Sequence, residues 1–163
     1  MINGRNPLTP TLPPIFILIG RGKGALLIFS TKHRQAMIAE FLQAKLAAYM
    51  AGSLNNLQCS ACQIGGTEDH VPVLFLLGRT VAMSKAIEEL KKNSSKWMKT
   101  KGVPQFAWQN GYGAYSVSES AVENGVQYIR DQKEHHRKRD FQSELRDLLL
   151  QAGVSYDEKY LWN

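Results

Sequence analysis

Cysteine is scarce: only Cys59 and Cys62 occur in 163 residues. They are spaced CxxC, but no second pair exists to complete a zinc site. The segment reads as a strand, where residues three apart face opposite sides and cannot chelate together. The expectation is reduced structural thiols in a cytosolic protein. Long hydrophobic runs are also missing. No apolar stretch reaches the ~18–20 residues needed to span a bilayer. The run Pro14–Gly20 is too short, and its basic residues fall mostly after it, the reverse of a signal peptide. That points to the cytoplasm and away from membranes. Acidic residues are the third shortage: 14 against 20 basic ones, a net charge of +6 and a pI of about 9.4. Such a surplus favours a polyanionic partner, nucleic acid before membrane, although a merely basic soluble enzyme would carry it too. With 44% apolar and 21% charged residues the chain is globular, long enough for one domain with a sizeable core.

Proline and glycine are unevenly spread. Residues 1–24 hold Pro7, Pro10, Pro13 and Pro14, then Gly20-Arg21-Gly22-Lys23-Gly24. The glycine spacing does not fit a phosphate loop and no helix start follows, so residues 1–24 form a prefix ending in a flexible joint. Residues 25–163 then read as one domain. Ala25–Lys32 is a buried strand. Ile38, Phe41, Leu42, Leu46, Tyr49 and Met50 predict a helix over about 37–52, ended by Gly52-Ser53. Leu57–Ile64 and His70–Leu77 are strands joined by Gly65-Gly66. Met83, Ile87, Leu90, Ser94 and Trp97 form one stripe of a second helix, Trp97 reading as core, with Lys91, Lys92 and Lys96 elsewhere on it. Taken alone, those lysines read as a solvated face. Phe106–Val117 reads as a fourth, glycine-interrupted strand. Ser118 or Ser120 is expected to cap a third helix, Ser120-x-x-Glu123 fitting a capping box. The basic knot His135–Arg139 follows. A last helix with Phe141, Leu145, Leu148 and Leu149 on one face stops at Gly153. The aromatic tail Tyr156–Asn163 is expected to dock. The order strand, helix, strand, strand, helix, strand is that of an α+β, ferredoxin-like (RRM-like) antiparallel sheet with two helices, extended by C-terminal helices.

Two groups of residues carry candidate chemistry. His70 opens the third strand behind Glu68 and Asp69, acids that could supplement a metal site. The position two further on shares its face of the strand, which invites a second ligand. That position is Pro72, which cannot ligate. Tyr128 and Gln132 are four apart and would share a helix face. A tyrosine hydroxyl can attack a phosphate if a cation neutralises its oxygens, and a glutamine carbonyl could bind that cation. Judged singly, Tyr128 reads as a core tyrosine and His70 as a polar residue at a strand end.

Several segments together change that reading. They are Phe29–Gln35, Gly65–Val71, Leu90–Trp97, Phe106–Ser118, Tyr128–Lys138 and Tyr156–Trp162. In this order and register, from about residue 25 to 163, the chain resembles the single-tyrosine HUH transposases of the insertion-sequence 200/605 type. The resemblance implies that the family's His-hydrophobic-His motif falls on His70-Val71-Pro72, its nucleophile on Tyr128 and its metal-binding glutamine on Gln132. It implies Mg2+ or Mn2+ as cofactor and hairpins of single-stranded DNA as substrate. It implies cleavage through a 5′-phosphotyrosine, and a homodimer with joined sheets in which the tyrosine helix of one subunit completes the other's site. Lys91, Lys92, Lys96, Arg137, Lys138 and Arg139 would contact DNA phosphates, and aromatic residues within 106–115 could stack on bases.

This sequence departs from the family in its prefix and at Pro72. Losing a metal ligand should cost at least the ~10–100-fold typical of second-shell changes. Proline is also normally excluded from an internal strand. The expectation is a chain that folds and binds hairpins but cleaves poorly or not at all, unless His135, seven residues after Tyr128, substitutes as a ligand. The rival reading is a DNA-hairpin-binding transposase remnant, or a host-adopted nucleic-acid-binding protein, without activity. An RRM-like RNA binder is disfavoured by the lack of an RNP-type aromatic-glycine signature.

Overall fold

A computed structural model describes residues 24–132 and 140–155. Most of the proline-rich prefix, the basic knot with His135, Arg137, Lys138 and Arg139, and the tail from Tyr156 lie outside the described residues. The sheet contains β1 (Gly24–Ser30), β2 (Ser60–Ile64), β3 (His70–Leu76) and β4 (Gly113–Val117), ordered β2-β3-β1-β4 and antiparallel throughout. Helix α1 (Glu40–Asn56) links β1 to β2, and α2 (Met83–Thr100) links β3 to β4. Helices α3 (Val122–Arg130) and α4 (Phe141–Gln151) follow β4. This is the expected ferredoxin-like order with its C-terminal helical addition.

Strand alternation divides the interior into two cores. Ala25, Leu27, Phe29, Val71, Val73 and Phe75 point to one face, where α1 and α2 cover them. Leu26, Ile28 and Leu74 point to the other, where residues of α3 and α4 cover them. The cysteines split the same way: Cys59 joins the α1/α2 core and Cys62 packs against the α3/α4 core, both as free thiols. The CxxC pair therefore builds no chelate.

Three element boundaries and one buried face differ from the sequence reading. Helix α1 runs through Gly52-Ser53 to Asn56, because Leu54 extends the buried ladder of Leu42, Leu46 and Met50 by one more turn. That burial outweighs the propensity cost of a mid-helix glycine, about 1 kcal/mol. Phe41, expected on the buried stripe, is 71% exposed instead. The predicted strand over 106–117 is only five residues long. Its first half is a loop whose aromatic residues turn into the α1/α2 core, and β4 begins after Gly111, which has a φ of 101°. The capping box at Ser120 does not form. A short 3₁₀ turn, Glu119–Ala121, leads into α3, whose N-cap is Ala121 without a side-chain cap. Helix α4, in contrast, is capped: Asp140 accepts a bond from the Ser143 N–H at 2.8 Å. It ends before Gly153, at φ 68°.

The loop before β4 is anchored by one buried polar contact. The Trp108 indole N–H donates to the Ser94 hydroxyl at 2.9 Å, while the Trp108 ring packs edge-on to Phe106 and tilted on Phe29. Trp97, partly buried, stacks on Tyr49 of α1 at 5.3 Å. Ser94→Ala should leave the indole N–H without its acceptor and cost about 1–3 kcal/mol. Urea unfolding of the variant checks this, and unchanged stability would show that the contact contributes nothing.

Candidate active site

His70 is the first residue of β3 and points, with Pro72 and Leu74, to the face covered by α3 and α4. It is 3% exposed. The Gly66–Asp69 turn fixes its ring. Nδ1 lies 2.7 Å from Asp69 Oδ1 and 2.9 Å from Thr67 Oγ1, and the Thr67 hydroxyl also accepts the His70 backbone N–H. Nδ1 is thus engaged behind the ring, and Nε2 faces the helices. Asp69, expected as a helper ligand, lies on the Nδ1 side and orients the imidazole. Glu68 accepts the Ile38 N–H through its backbone carbonyl.

Gln132 lies just past the end of α3, whose C-cap is Asp131. Tyr128 and Gln132 therefore do not sit one turn apart within the α3 helix, as their spacing suggested. The Gln132 side chain still reaches the site. Its Oε1 accepts the Gly66 N–H at 2.9 Å, and its Nε2 lies 3.4 Å from His70 Nε2. Entry of this carboxamide depends on Gly65. A Cβ there would overlap Gln132 Oε1 and press on Ile129 and Pro72.

Glu144 of α4, a residue to which the sequence reading gave no role, completes the cluster. It is 3% exposed, accepts from Gln132 Nε2 at 3.0 Å through Oε1, and places Oε2 3.6 Å from His70 Nε2. Its backbone carbonyl accepts the Tyr128 hydroxyl at 3.3 Å. Tyr128 and Gln132, together with the sequence-distant His70, thus converge on one residue. A sequence signal existed: Glu144 stands on the apolar stripe of α4, three residues after Phe141 and four before Leu148. Tyr128 itself is buried in the α3/α4 core, within the chain's own fold.

The electrostatics follow from this packing. Burial disfavours the His70 imidazolium, but the hydrogen bonds and charges of Asp69 and Glu144 outweigh it, and the His70 pKa is raised overall. Burial likewise opposes the Asp69 carboxylate, yet His70 and Arg34 hold its pKa below the usual value. Among the described residues no three His, Cys, Asp or Glu side chains are gathered to hold a metal by themselves. The cluster is mixed: one imidazole nitrogen, one carboxylate and one carboxamide.

The rim is closed by α4 and the turn after β1. The Phe141 ring meets His70 edge-on at 4.6 Å. Above it lies Arg34, its guanidinium 3.8 Å from the Phe141 centroid and 3.2 Å from Asp69 Oδ2. Arg34 and His33 both have left-handed backbone, φ 53° and 56°, at a cost of order 1–3 kcal/mol each. The Thr31 hydroxyl, which donates to the Gln35 carbonyl at 2.6 Å, helps hold the turn. Among the described residues, Arg34 is an exposed cation beside this cluster to which sequence reasoning gave no role.

The α2 lysines lie on the other layer, since α2 packs on the opposite sheet face. Lys92 and Lys96 are exposed there. Lys91 is half-buried and clamps the loop before β4, donating to the Gln109 carbonyl at 2.7 Å and the Gly111 carbonyl at 3.3 Å.

Comparison with known proteins gives two results. The family described as transposase IS200 like matches residues 25–132. Among solved structures, a candidate transposase from Deinococcus radiodurans R1 aligns with 68% of this chain and 91% of its own, at 19% identity and a TM-score of 0.55. A REP-associated tyrosine transposase bound to a REP hairpin aligns with 71% of this chain and 69% of its own, at 14% identity and a TM-score of 0.55. Among curated proteins nothing matches.

Two outcomes are expected of the site's surroundings. Gly65→Ala should lose about 1–3 kcal/mol by overpacking. Gly52→Ala, which meets nothing within 4 Å, should gain up to ~1 kcal/mol. Chemical denaturation of both variants checks the pair, and equal effects would show that Gly65 is not constrained. Burial pulls the Lys91 amine from 10.5 down to about 8. Between those values the unfolded chain binds more protons, so this group makes the fold gain stability as pH rises from about 8 to 10.5. That gain should vanish in Lys91→Met, read as the difference in denaturation midpoint between the two proteins across that range.

Proposed function

The chain belongs to the family of IS200-like transposases, and we propose that it acts on single-stranded DNA hairpins as a single-tyrosine enzyme. Tyr128 is the nucleophile, attacking a phosphodiester to leave a 5′-phosphotyrosine and a free 3′-hydroxyl. The observation that carries this reading is the convergence of Tyr128, His70 and Gln132 on Glu144. The solved REP-associated relative, bound to a hairpin, supports the substrate class.

His70 and its neighbours fit a divalent cation, Mg2+ or Mn2+. The imidazole presents Nε2 while Asp69 holds Nδ1, the usual support of a metal-bound histidine. The bound cation would supply charge neutralisation at the phosphate and polarise the scissile bond. Gln132 belongs to the same cluster. Pro72 occupies the place of the family's second histidine and contributes no donor. Arg34 at the rim, with Lys92 and Lys96 on α2 and Arg137, Lys138 and Arg139 beyond the described residues, would hold DNA phosphates. Binding by these cations should weaken as salt rises. Because Lys92 and Lys96 lie across the sheet from His70, they would engage DNA remote from the scissile bond. A homodimer with joined sheets suits the two sheet edges, β2 and β4, and α3 could then serve its own site or its partner's. No helix among the described residues is long and apolar enough to cross a membrane, in keeping with work on DNA in the cytoplasm.

A second reading rests on specific features. The Tyr128 hydroxyl is buried and donates to a helix carbonyl, and a proline stands where a ligand belongs. Both suit a hairpin-binding protein that does not cut. The two readings separate on a denaturing gel, after incubation with hairpin-bearing single-stranded DNA and Mn2+. A covalent adduct lost in Tyr128→Phe establishes the enzyme, and Pro72→His should raise its yield about tenfold or more. Hairpin retention without an adduct in either protein would establish the binding module.

A further inference from the structure

The loss of a histidine at position 72 leaves the cluster short of one donor, and the structure places another beside it. Glu144 Oε2 lies 3.6 Å from His70 Nε2. A small divalent cation bound at about 2.1 Å to each of two donors requires them about 3 Å apart at a right angle and about 4 Å apart in line. The observed spacing falls inside that window. Both side chains are at least nine-tenths buried and reach the point from different elements, β3 and α4. Gln132 presents the wrong atom. Its Oε1 is occupied by the Gly66 N–H, and its Nε2 turns toward His70 and donates to Glu144. Rotating the amide would set an NH2 group against the Gly66 N–H. In this arrangement Gln132 orients the carboxylate, and the carboxylate is the oxygen that faces the imidazole.

We propose that Glu144 is the anionic metal ligand of this chain, taking over with His70 the role that Pro72 cannot fill, with Gln132 as the residue that positions it. The proposal rests on the reading of the cluster as a cation site. Carboxylate oxygen with imidazole nitrogen is a donor pair that suits Mn2+ and, with more water in its shell, Mg2+. It also gives α4 a purpose: the helix that covers the sheet carries the ligand. The plain structural alternative is that Glu144 only pairs with His70 inside the core, in which case no cation is bound.

The test uses Mn2+ alone with the full chain, read as loss of the free-ion paramagnetic resonance signal on titration. The unmodified protein should bind one Mn2+. Glu144→Gln, which keeps volume and a hydrogen-bond acceptor, should bind it about 10-fold to 100-fold more weakly. Glu144→Gln with Pro72→His should recover binding, which guards against a folding defect in the single variant. Equal affinity in Glu144→Gln and the unmodified protein, or binding that appears only when Pro72→His is present, overturns the proposal. Mn2+ binding that depends on Glu144 without any DNA adduct would leave the ligand assignment standing and sink the enzymatic reading. An adduct indifferent to Glu144 would do the reverse.

Discussion

The carboxylate of Glu144 against the imidazole of His70 is the contact on which the second half of this fold depends. Both groups are buried on a sheet face otherwise covered by Leu26, Ile28, Leu74, Val126 and Leu149. A charged group taken from water into such surroundings is costly unless paired. The pair therefore fixes where α4 can lie. Slide the helix by one turn and Glu144 loses His70 and Gln132, while His70 Nε2 loses its carboxylate. Around this point the other bonds fall into line: Gln132 ties the carboxylate to the Gly66 turn, Tyr128 ties its hydroxyl to the α4 backbone, and Asp69 ties the imidazole to β3. Apolar packing alone would hold α4 to the sheet but would not select one register.

The two layers of helix divide the labour of the molecule. The α1/α2 layer buries the longer cluster and is finished without reference to the site, Lys91 included, since that lysine is spent on loop carbonyls. The α3/α4 side of the sheet carries the cluster of His70, Tyr128, Gln132 and Glu144. On that side Phe141 lies edge-on to His70, and Arg34 covers the Phe141 ring.

The architecture was legible because its signals are periodic and local. Alternation along β1 and β3 and the heptad-like stripe of α2 specified the sheet and one helix layer, and the order of elements specified the topology. What escaped depended on tertiary context. Leu54 extends α1 past Gly52 only because a core is there to receive it. The aromatic residues from Phe106 to Tyr112 have strand propensity, but pairing there stops at a single bridge from Trp108 to Thr31, while the Trp108 indole bonds Ser94. Gln132 looked like the next turn of the Tyr128 helix, and spacing cannot reveal that α3 ends before it. Glu144 was hardest to find, because one acid on an apolar stripe gains meaning only when His70 is known to lie opposite. Glu68 and Asp69 precede His70 in sequence, but the groups at its Nε2 come from elsewhere: Asp69 holds Nδ1, while Gln132 and Glu144 face Nε2.

Pro72 shows how an internal strand accommodates a residue it should exclude. In an antiparallel ladder the N–H and C=O of one residue point to the same neighbour. The Pro72 carbonyl accepts the Gly65 N–H at 2.9 Å, so its nitrogen also faces the β2 side. Toward β1 it stands opposite Ile28 in a position that exchanges no ladder bonds, as the bond from the Thr31 N–H to the Asp69 carbonyl three steps away indicates. On the β2 side the pairing is ending, since β2 stops at Ile64. The missing donor therefore removes one bond at the fraying end of one edge strand and none from the centre of the sheet. A proline at this position costs the ladder one bond and brings no donor side chain to the cluster around His70. The oxygen that faces His70 Nε2 comes instead from the covering helix, as the Glu144 carboxylate.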